Sequence, residues 1–200
     1  MSLVIAFIGA HGTAMAGDMR EISFGGEPGA VEALEGELYA GTITGEDALY
    51  RRAEALGVTL RIRDDRVKVR DRGGVLVGEV GEREANAGRS RRLYAATGRY
   101  ALIDLEGGRV TRRSGGGAGS FVVLGNEVAK QVAHRCITEG WKNGTLEDAI
   151  RILIRTLEEA SRASPTVSRS FLLVQTRSPA DPARLLEDDL EAQEGRAPES

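Results

Sequence analysis

Two apolar stretches open the chain. Leu3 to Gly9 and Thr13 to Asp18 are apolar or small at nearly every position, without alternation. That pattern predicts strands covered on both faces. Gly9-Ala10-His11 between them reads as a three-residue hairpin loop. Glu21–Phe24 predicts a short third strand, and Gly25-Gly26-Glu27-Pro28-Gly29 breaks the chain. Val31–Tyr39 and Glu46–Leu56 read as two short helices, the second capped by Thr44.

The period then changes to two. Val58, Leu60 and Ile62, then Val67 and Val69, then Val75, Val77 and Val80 alternate with polar residues. Asp64-Asp65 and Gly73-Gly74 mark turns, and the outward positions are charged. Residues 59–82 are therefore expected to form an exposed charged meander rather than part of a buried sheet. Arg92–Thr97, Tyr100–Leu105, Arg109–Arg113 and Phe121–Leu124 are further strands. Asn126–Glu139 reads as a helix capped by Asn126 and ended by Gly140. Thr145-Leu146-Glu147-Asp148 is a cap signature. It opens an amphipathic helix with Leu146, Ala149, Ile150, Leu153, Leu157 and Ala160 on one face. Ser170–Gln175 is a final strand. This order suits an αββα sandwich, although the pattern alone admits other α+β layouts. From Arg177 prolines and acids accumulate. Residues 2–176 are expected to form the domain, and 177–200 a disordered or weakly helical acidic tail.

Composition narrows the function classes. Apolar residues make up 41% and aromatics 4%, so small aliphatics must build the core of a single ordinary domain. The net charge of −3 argues against unspecific nucleic-acid binding. Arg89–Arg92 and Arg109–Arg113 are basic clusters, but interleaved acids make them a solvated face. Ser114–Ser120 is glycine-rich but lacks the Gly-Lys-Ser/Thr ending of a phosphate loop. The lone Cys136 forms no intrachain disulfide and suits a reducing cytoplasm. Cys136 and His134 fall in a predicted helix and His11 in a turn, so no metal site and no cofactor are expected. The first apolar run is far below the roughly 20 residues that span a bilayer. It lacks a basic flank before Arg20 and is interrupted by His11, so neither a signal peptide nor membrane insertion is expected.

The chemistry concentrates in the first hairpin. With a three-residue loop, paired positions sum to twenty, and Ser2 faces Asp18 with Cβ atoms about 5 Å apart. Loss of Met1 leaves hydroxyl and α-amine on one residue, the equipment of an N-terminal nucleophile. An α-amine of pKa roughly 7.7–8.0 is partly neutral at neutral pH and accepts the hydroxyl proton. Asp18 is the candidate group that orients this amine. Arg20 shares its strand face as a candidate partner of Asp18.

Ser2 to Arg20 resembles the opening of proteasome β-type subunits, with Met15-Ala16-Gly17-Asp18-Met19-Arg20 at the family's spacing from the nucleophile. Ser2 in place of Thr, and the run Ala16 to Ile22, resemble most the archaeal proteasome homologues called connectases, protein ligases of methanogens. The resemblance implies a four-layer αββα N-terminal nucleophile fold. It implies Ser2, Asp18 and Arg20 as catalytic residues and Ile22, Gly119 and Ser120 as substrate-binding positions. It further implies a Ser2 acyl-enzyme that is passed to an amine terminus. The implied partner is a protein bearing a Lys-Asp-Pro-Gly-Ala-type motif, as in the methyltransferase A subunit.

Two departures stand out. The region Val31–Glu37, where the family carries a lysine, has none. Lys68, Lys130 or Lys142 could arrive from elsewhere, an Arg could substitute, or no such group is used. The family pattern Gly-Ser-Gly-Ser-x-x-Ala-x-Gly corresponds to Gly117–Gly125, but its first Ser is Ala118. Connectases often carry a further C-terminal domain, for which 200 residues leave little room. The charged strands of 59–82, in place of the helix pair of ring-forming subunits, lead to an expected monomer or small oligomer. A peptidase or amidase of the same fold and a non-catalytic interaction protein remain the alternatives.

Overall fold

The computed structural model describes residues 3–82 and 88–194. Strands β1 (Val4–Gly9) and β2 (Gly12–Asp18) form the opening hairpin and lie at the centre of a four-stranded sheet. Its outer members are β10 (Ser120–Leu124), beside β1, and β11 (Phe171–Thr176), beside β2. Both central strands are buried along their whole length. Alternation explains why both faces are apolar. Leu3, Ile5, Phe7, Ala14 and Ala16 face helices α3 (Glu127–Gly140) and α4 (Leu146–Ala163). Val4, Ala6, Ile8 and Met15 face a second sheet, against Val69, Leu76, Leu93 and Ala95.

The hairpin register differs from the expected one. Gly9 pairs with Gly12 and Val4 with Gly17, so paired positions sum to twenty-one and the loop is the two residues Ala10 and His11. The position opposite Asp18 therefore belongs to Leu3.

The second sheet has the order β5-β6-β7-β8-β9, from β5 (Val69–Arg72), β6 (Val75–Glu82), β7 (Arg89–Ala96), β8 (Arg99–Glu106) and β9 (Arg109–Gly117). The exposed meander expected over 59–82 is thus corrected for its second half. Val69, Val75, Leu76 and Val77 are all at most 3% exposed, because the start of β5 is buried and the first half of β6 is covered on both faces. Gly78 permits this close approach. A Cβ there would sit 2.6 Å from Met15 Sδ and 2.7 Å from Val4 Cγ1.

The outer face of this sheet is covered by α5 (Pro182–Glu194). Leu186 packs with Val75, Val77, Tyr94, Ile103 and Leu105. Asp189 accepts hydrogen bonds from Tyr94 Oη at 2.9 Å and Arg72 Nη1 at 2.5 Å. In place of the expected disordered or weakly helical tail, this stretch is a helix docked on the sheet. Its acids pair with arginines of the sheet, while Leu185, Leu186 and Leu190 fill an apolar face. Residues 195–200 lie outside the described residues.

The remaining elements form a side lobe. Strand β3 (Glu21–Gly25) pairs antiparallel with β4 (Thr59–Arg63). Helices α1 (Pro28–Tyr39) and α2 (Glu46–Ala55) pack on them through Leu34, Leu38, Leu49 and Ala53. Gly45, not Thr44, is the N-cap of α2, and it makes no side-chain capping bond. The other two caps are as expected. Asn126 Oδ1 accepts from Ala129 N, and Thr145 with Asp148 forms a capping box on α4.

Candidate active site

Four strand ends of the first sheet converge where β1 begins and β2 ends. Asp18 stands at this point and is fully buried. Its main chain closes the hairpin, with Asp18 N donating to Leu3 O at 3.0 Å. Its carboxylate is held by the surrounding amides. Oδ1 accepts from Leu3 N at 2.7 Å. Oδ2 accepts from Arg20 N at 2.8 Å and Ser168 N at 3.3 Å. The Leu3 amide is the peptide link to residue 2. Asp18 therefore grips the amide of Leu3, the residue that stands opposite it in the hairpin. Ser2 itself lies outside the described residues.

A carboxylate at such depth is costly unless paired. Its counter-charge is Lys68, whose Nζ lies 2.7 Å from Asp18 Oδ1 and also donates to Arg20 O at 2.7 Å. Of the three lysines left open by the sequence, Lys68 is the one that meets Asp18. Lys130 lies on α3 and Lys142 beyond its end, whereas Lys68 immediately precedes β5. The Lys68 carbonyl accepts from Glu79 N at 3.0 Å, which ties it to β6. Gly17 gives its backbone room, since a Cβ there would meet Val69 Cγ1 at 2.9 Å and Lys68 Cβ at 3.5 Å. Burial pushes the Lys68 ammonium below its usual pKa, and the charge of Asp18 opposes that shift.

Arg20 takes a different role from the expected one. Its main chain touches Asp18 and Lys68, but its guanidinium pairs elsewhere. Nε and Nη2 form a two-pronged pair with Asp64, both at 2.8 Å. Nη1 contacts Glu46 at 2.5 Å and Pro165 O at 2.9 Å. The hydrogen bond to Asp64 raises its pKa further above the ordinary arginine value. Arg20 thus bolts the side lobe, through α2, to the loop before β11. Ile22 lies on β3 opposite Ile62 and packs with the lobe's apolar core.

Gly119 and Ser120 are not at this site. Ser120 pairs with Ile8, and Gly119 N donates to Ile8 O at 2.8 Å. Both sit at the turn end of β1. Five residues of strand separate this end from Leu3, roughly 17 Å at the usual rise. Ser120 Oγ is used locally, on Gly117 O at 2.9 Å. The residues of this segment that do reach the Asp18 end are Gly125 and Asn126, since Val4 pairs with Leu124.

A buried hydroxyl and amide set completes the site, and sequence reasoning missed it. Asn126 Nδ2 donates to Thr166 Oγ1 at 3.2 Å, and Thr166 Oγ1 lies 2.8 Å from Ser164 Oγ. Ser168 Oγ accepts from Met19 N at 2.9 Å and donates to Ser170 O at 2.5 Å. The signal was the alternation Ser164, Thr166, Ser168, Ser170 between a helix and a strand. Asn126 was read only as a helix cap.

The arrangement joins an ammonium, a carboxylate and several fixed dipoles beside the amide of Leu3. It can hold a group at residue 2 in place and stabilise charge developing there. Among the described residues, no three His, Cys, Asp or Glu side chains group as metal ligands. Cys136 is buried in the helix core. No helix among them is long and apolar enough to cross a membrane.

Comparison with known proteins places this site in context. Residues 1–193 match the family described as "Connectase MJ0548-like, N-terminal domain". No curated protein matches the chain. Among solved structures, it is similar to an Anbu (Gly-1) mutant from Hyphomicrobium sp. strain MC1, at 14% identity and TM-score 0.40. That match covers 100% of this chain and 99% of the other. It is also similar to eukaryotic HslV from Trypanosoma brucei, at 15% identity and TM-score 0.39, covering 86% and 98%.

Proposed function

The chain belongs to the connectase family, and we propose that it is a protein ligase working through an acyl-enzyme on Ser2. Met1 is removed, and the freed α-amine of Ser2 takes the proton of its own hydroxyl. Ser2 Oγ attacks a backbone carbonyl of the donor protein. The bond from Oγ to that carbon forms, the scissile C–N bond breaks, and the leaving amine carries the proton away. An acceptor amine terminus then attacks the ester, takes the acyl group and returns the hydroxyl to Ser2. Lys68 supplies positive charge beside the nucleophile, and Asp18 holds both Lys68 and the peptide linking Ser2 to Leu3. The donor is a protein segment of the Lys-Asp-Pro-Gly-Ala type, as the family resemblance implies.

The observation that carries this reading is the double engagement of Asp18 Oδ1, at 2.7 Å from Leu3 N and 2.7 Å from Lys68 Nζ. This buried ion pair ties the two sheets together and fixes the main chain next to residue 2, as a nucleophile at that position requires. A ligase must also hold its acceptor at an effective molarity above that of water, within the ~10⁵–10⁸ M that ordered sites reach.

Product analysis tests the reading. The protein is incubated with a Lys-Asp-Pro-Gly-Ala peptide and rising concentrations of a second peptide with a free N-terminus. Exchanged peptide that increases with acceptor supports the ligase. Hydrolysed peptide alone at every acceptor concentration assigns a peptidase, and no turnover assigns a binding protein.

A further inference from the structure

Strands β6, β7 and β8 run past the end of the first sheet. Leu93 and Ala95 on β7 face the first sheet, so alternation puts Arg91 and Arg89 on the same face. Their cross-strand partners on β8 are Asp104 and Glu106. This overhanging face is therefore charged where the rest of the same face is apolar. Opposite it lie Gly125 and Asn126 at the start of α3. Between them is a cleft of about 280 Å³, lined among others by Val80, Arg89, Arg91, Asp104, Glu106 and Asn126.

Its position is the first argument. Val4 pairs with Leu124, so Gly125 and Asn126 border the start of β1, beside the amide of Leu3. Asn126 Nδ2 also donates to Thr166 Oγ1, on the loop whose Ser168 N donates to Asp18. The cleft is thus lined at one end by the residues that border the start of β1.

Its charges are the second. Arg91 Nε lies 2.6 Å from Asp104 Oδ1, with side chains 38% and 26% exposed. Arg89 Nε lies 3.3 Å from Glu106 Oε1, with side chains 56% and 46% exposed. Pairs this open are weak and exchange partners readily. Among the described lining residues, two guanidinium groups and two carboxylates alternate. Such a surface disfavours a polyanion and suits a ligand with both signs on neighbouring groups. The volume, near the lower end for ligand pockets, holds one or two side chains of an extended segment.

We propose that this cleft is a specificity site that receives adjacent, oppositely charged side chains of the substrate polypeptide, through Arg91 with Asp104 and Arg89 with Glu106. The assignment rests on the acyl-transfer reading for its choice of ligand, but its test does not depend on turnover. The probe is a fluorescein-labelled Lys-Asp-Pro-Gly-Ala peptide, and the protein is the full chain carrying Ser2→Ala. Anisotropy titrations are run on this protein and with Arg91→Gln or Asp104→Asn added, and thermal melts monitor folding. Arg151→Gln, on the α4 surface where Arg151 pairs with Asp148, serves as the control.

Each cleft variant should weaken binding about tenfold or more, and the control should stay within twofold. In the transfer assay, with Ser2 intact, the same cleft variants should raise KM and leave kcat within about threefold. Peptide binding that ignores both cleft variants, or no peptide binding by the parent, overturns the proposal. Binding that responds to the variants in a protein without acyl transfer leaves the cleft assigned and rejects only the ligase reading.

Discussion

Lys68 and Asp18 are fifty residues apart in the chain and meet at 2.7 Å, with side chains 4% and 0% exposed. This contact joins the second sheet to the first at the point where β1 begins. Around it stand the parts of the candidate site: Asp18 as the hub, Lys68 as its counter-charge, and the Leu3 amide as the link to residue 2.

Breaking that pair should be costly. Asp18→Asn leaves the Lys68 ammonium buried without its partner, at an expected loss of about 3–5 kcal/mol. Acyl transfer should fall by roughly 10²-fold or more. Urea unfolding of Asp18→Asn, Lys68→Met and the double variant checks this. The double variant should lose less than the two single losses combined. Strict additivity would show that the two groups do not interact.

The pair also sets a pH dependence. Burial holds the Lys68 pKa below the ordinary value of about 10.4. Between the lowered value and the ordinary one, the unfolded chain keeps a proton that the folded protein has shed. The unfolded state then binds more protons, so the stability contributed by Lys68 rises with pH across that window. Urea midpoints measured from pH 7 to pH 10 should show wild type gaining on Lys68→Met. Parallel curves would contradict the burial of a charged lysine.

The two-pronged geometry of Arg20 matters more than its charge. Arg20→Lys keeps the charge but cannot bridge Asp64, Glu46 and Pro165 O together. An expected loss of about 1.5–3 kcal/mol follows from the charged hydrogen bonds removed. Limited proteolysis should cut the side lobe faster in the variant. Wild-type resistance would show that the lobe is held without Arg20.

Much of this architecture is visible in the sequence, and the gaps have physical causes. The unbroken apolar runs at Leu3–Gly9 and Thr13–Asp18 announce strands covered on both faces. The Thr145 and Asp148 spacing announces a cap. The hairpin register slipped by one because Gly9-Ala10-His11 reads as readily as a three-residue loop as Ala10-His11 does as a two-residue loop. Composition left three lysines, an arginine or no such group as the counter-charge, and no local period reports a contact between sheets, so Lys68 could not be singled out. Gly119 and Ser120 were placed by motif, and the strand that follows them carries the site's real contribution, Asn126, to the other end. The tail was judged by its charge, while its four-residue spacing of Leu186 and Leu190 was the sign of a docked helix.

That helix should be part of the domain's stability. Leu186 is 4% exposed against Val75, Val77 and Tyr94. Leu186→Ala should cost about 2–3 kcal/mol by lost burial and a residual cavity. Thermal or urea unfolding reads it. A change under about 0.5 kcal/mol would mean that α5 rests on the sheet without stabilising it.

The central claim is that Ser2 carries the acyl group. Trypsin releases the processed N-terminus as the fragment Ser2–Arg20, because no lysine or arginine precedes Arg20. The most direct measurement is tandem mass spectrometry of that fragment after brief exposure to the Lys-Asp-Pro-Gly-Ala peptide. The account predicts a fragment lacking Met1, bearing the donor acyl group on Ser2, and losing it to hydroxylamine as an ester does. Ser2→Ala should give the unmodified fragment. A fully active protein that retains Met1, or an adduct mapped to any other residue, would contradict it.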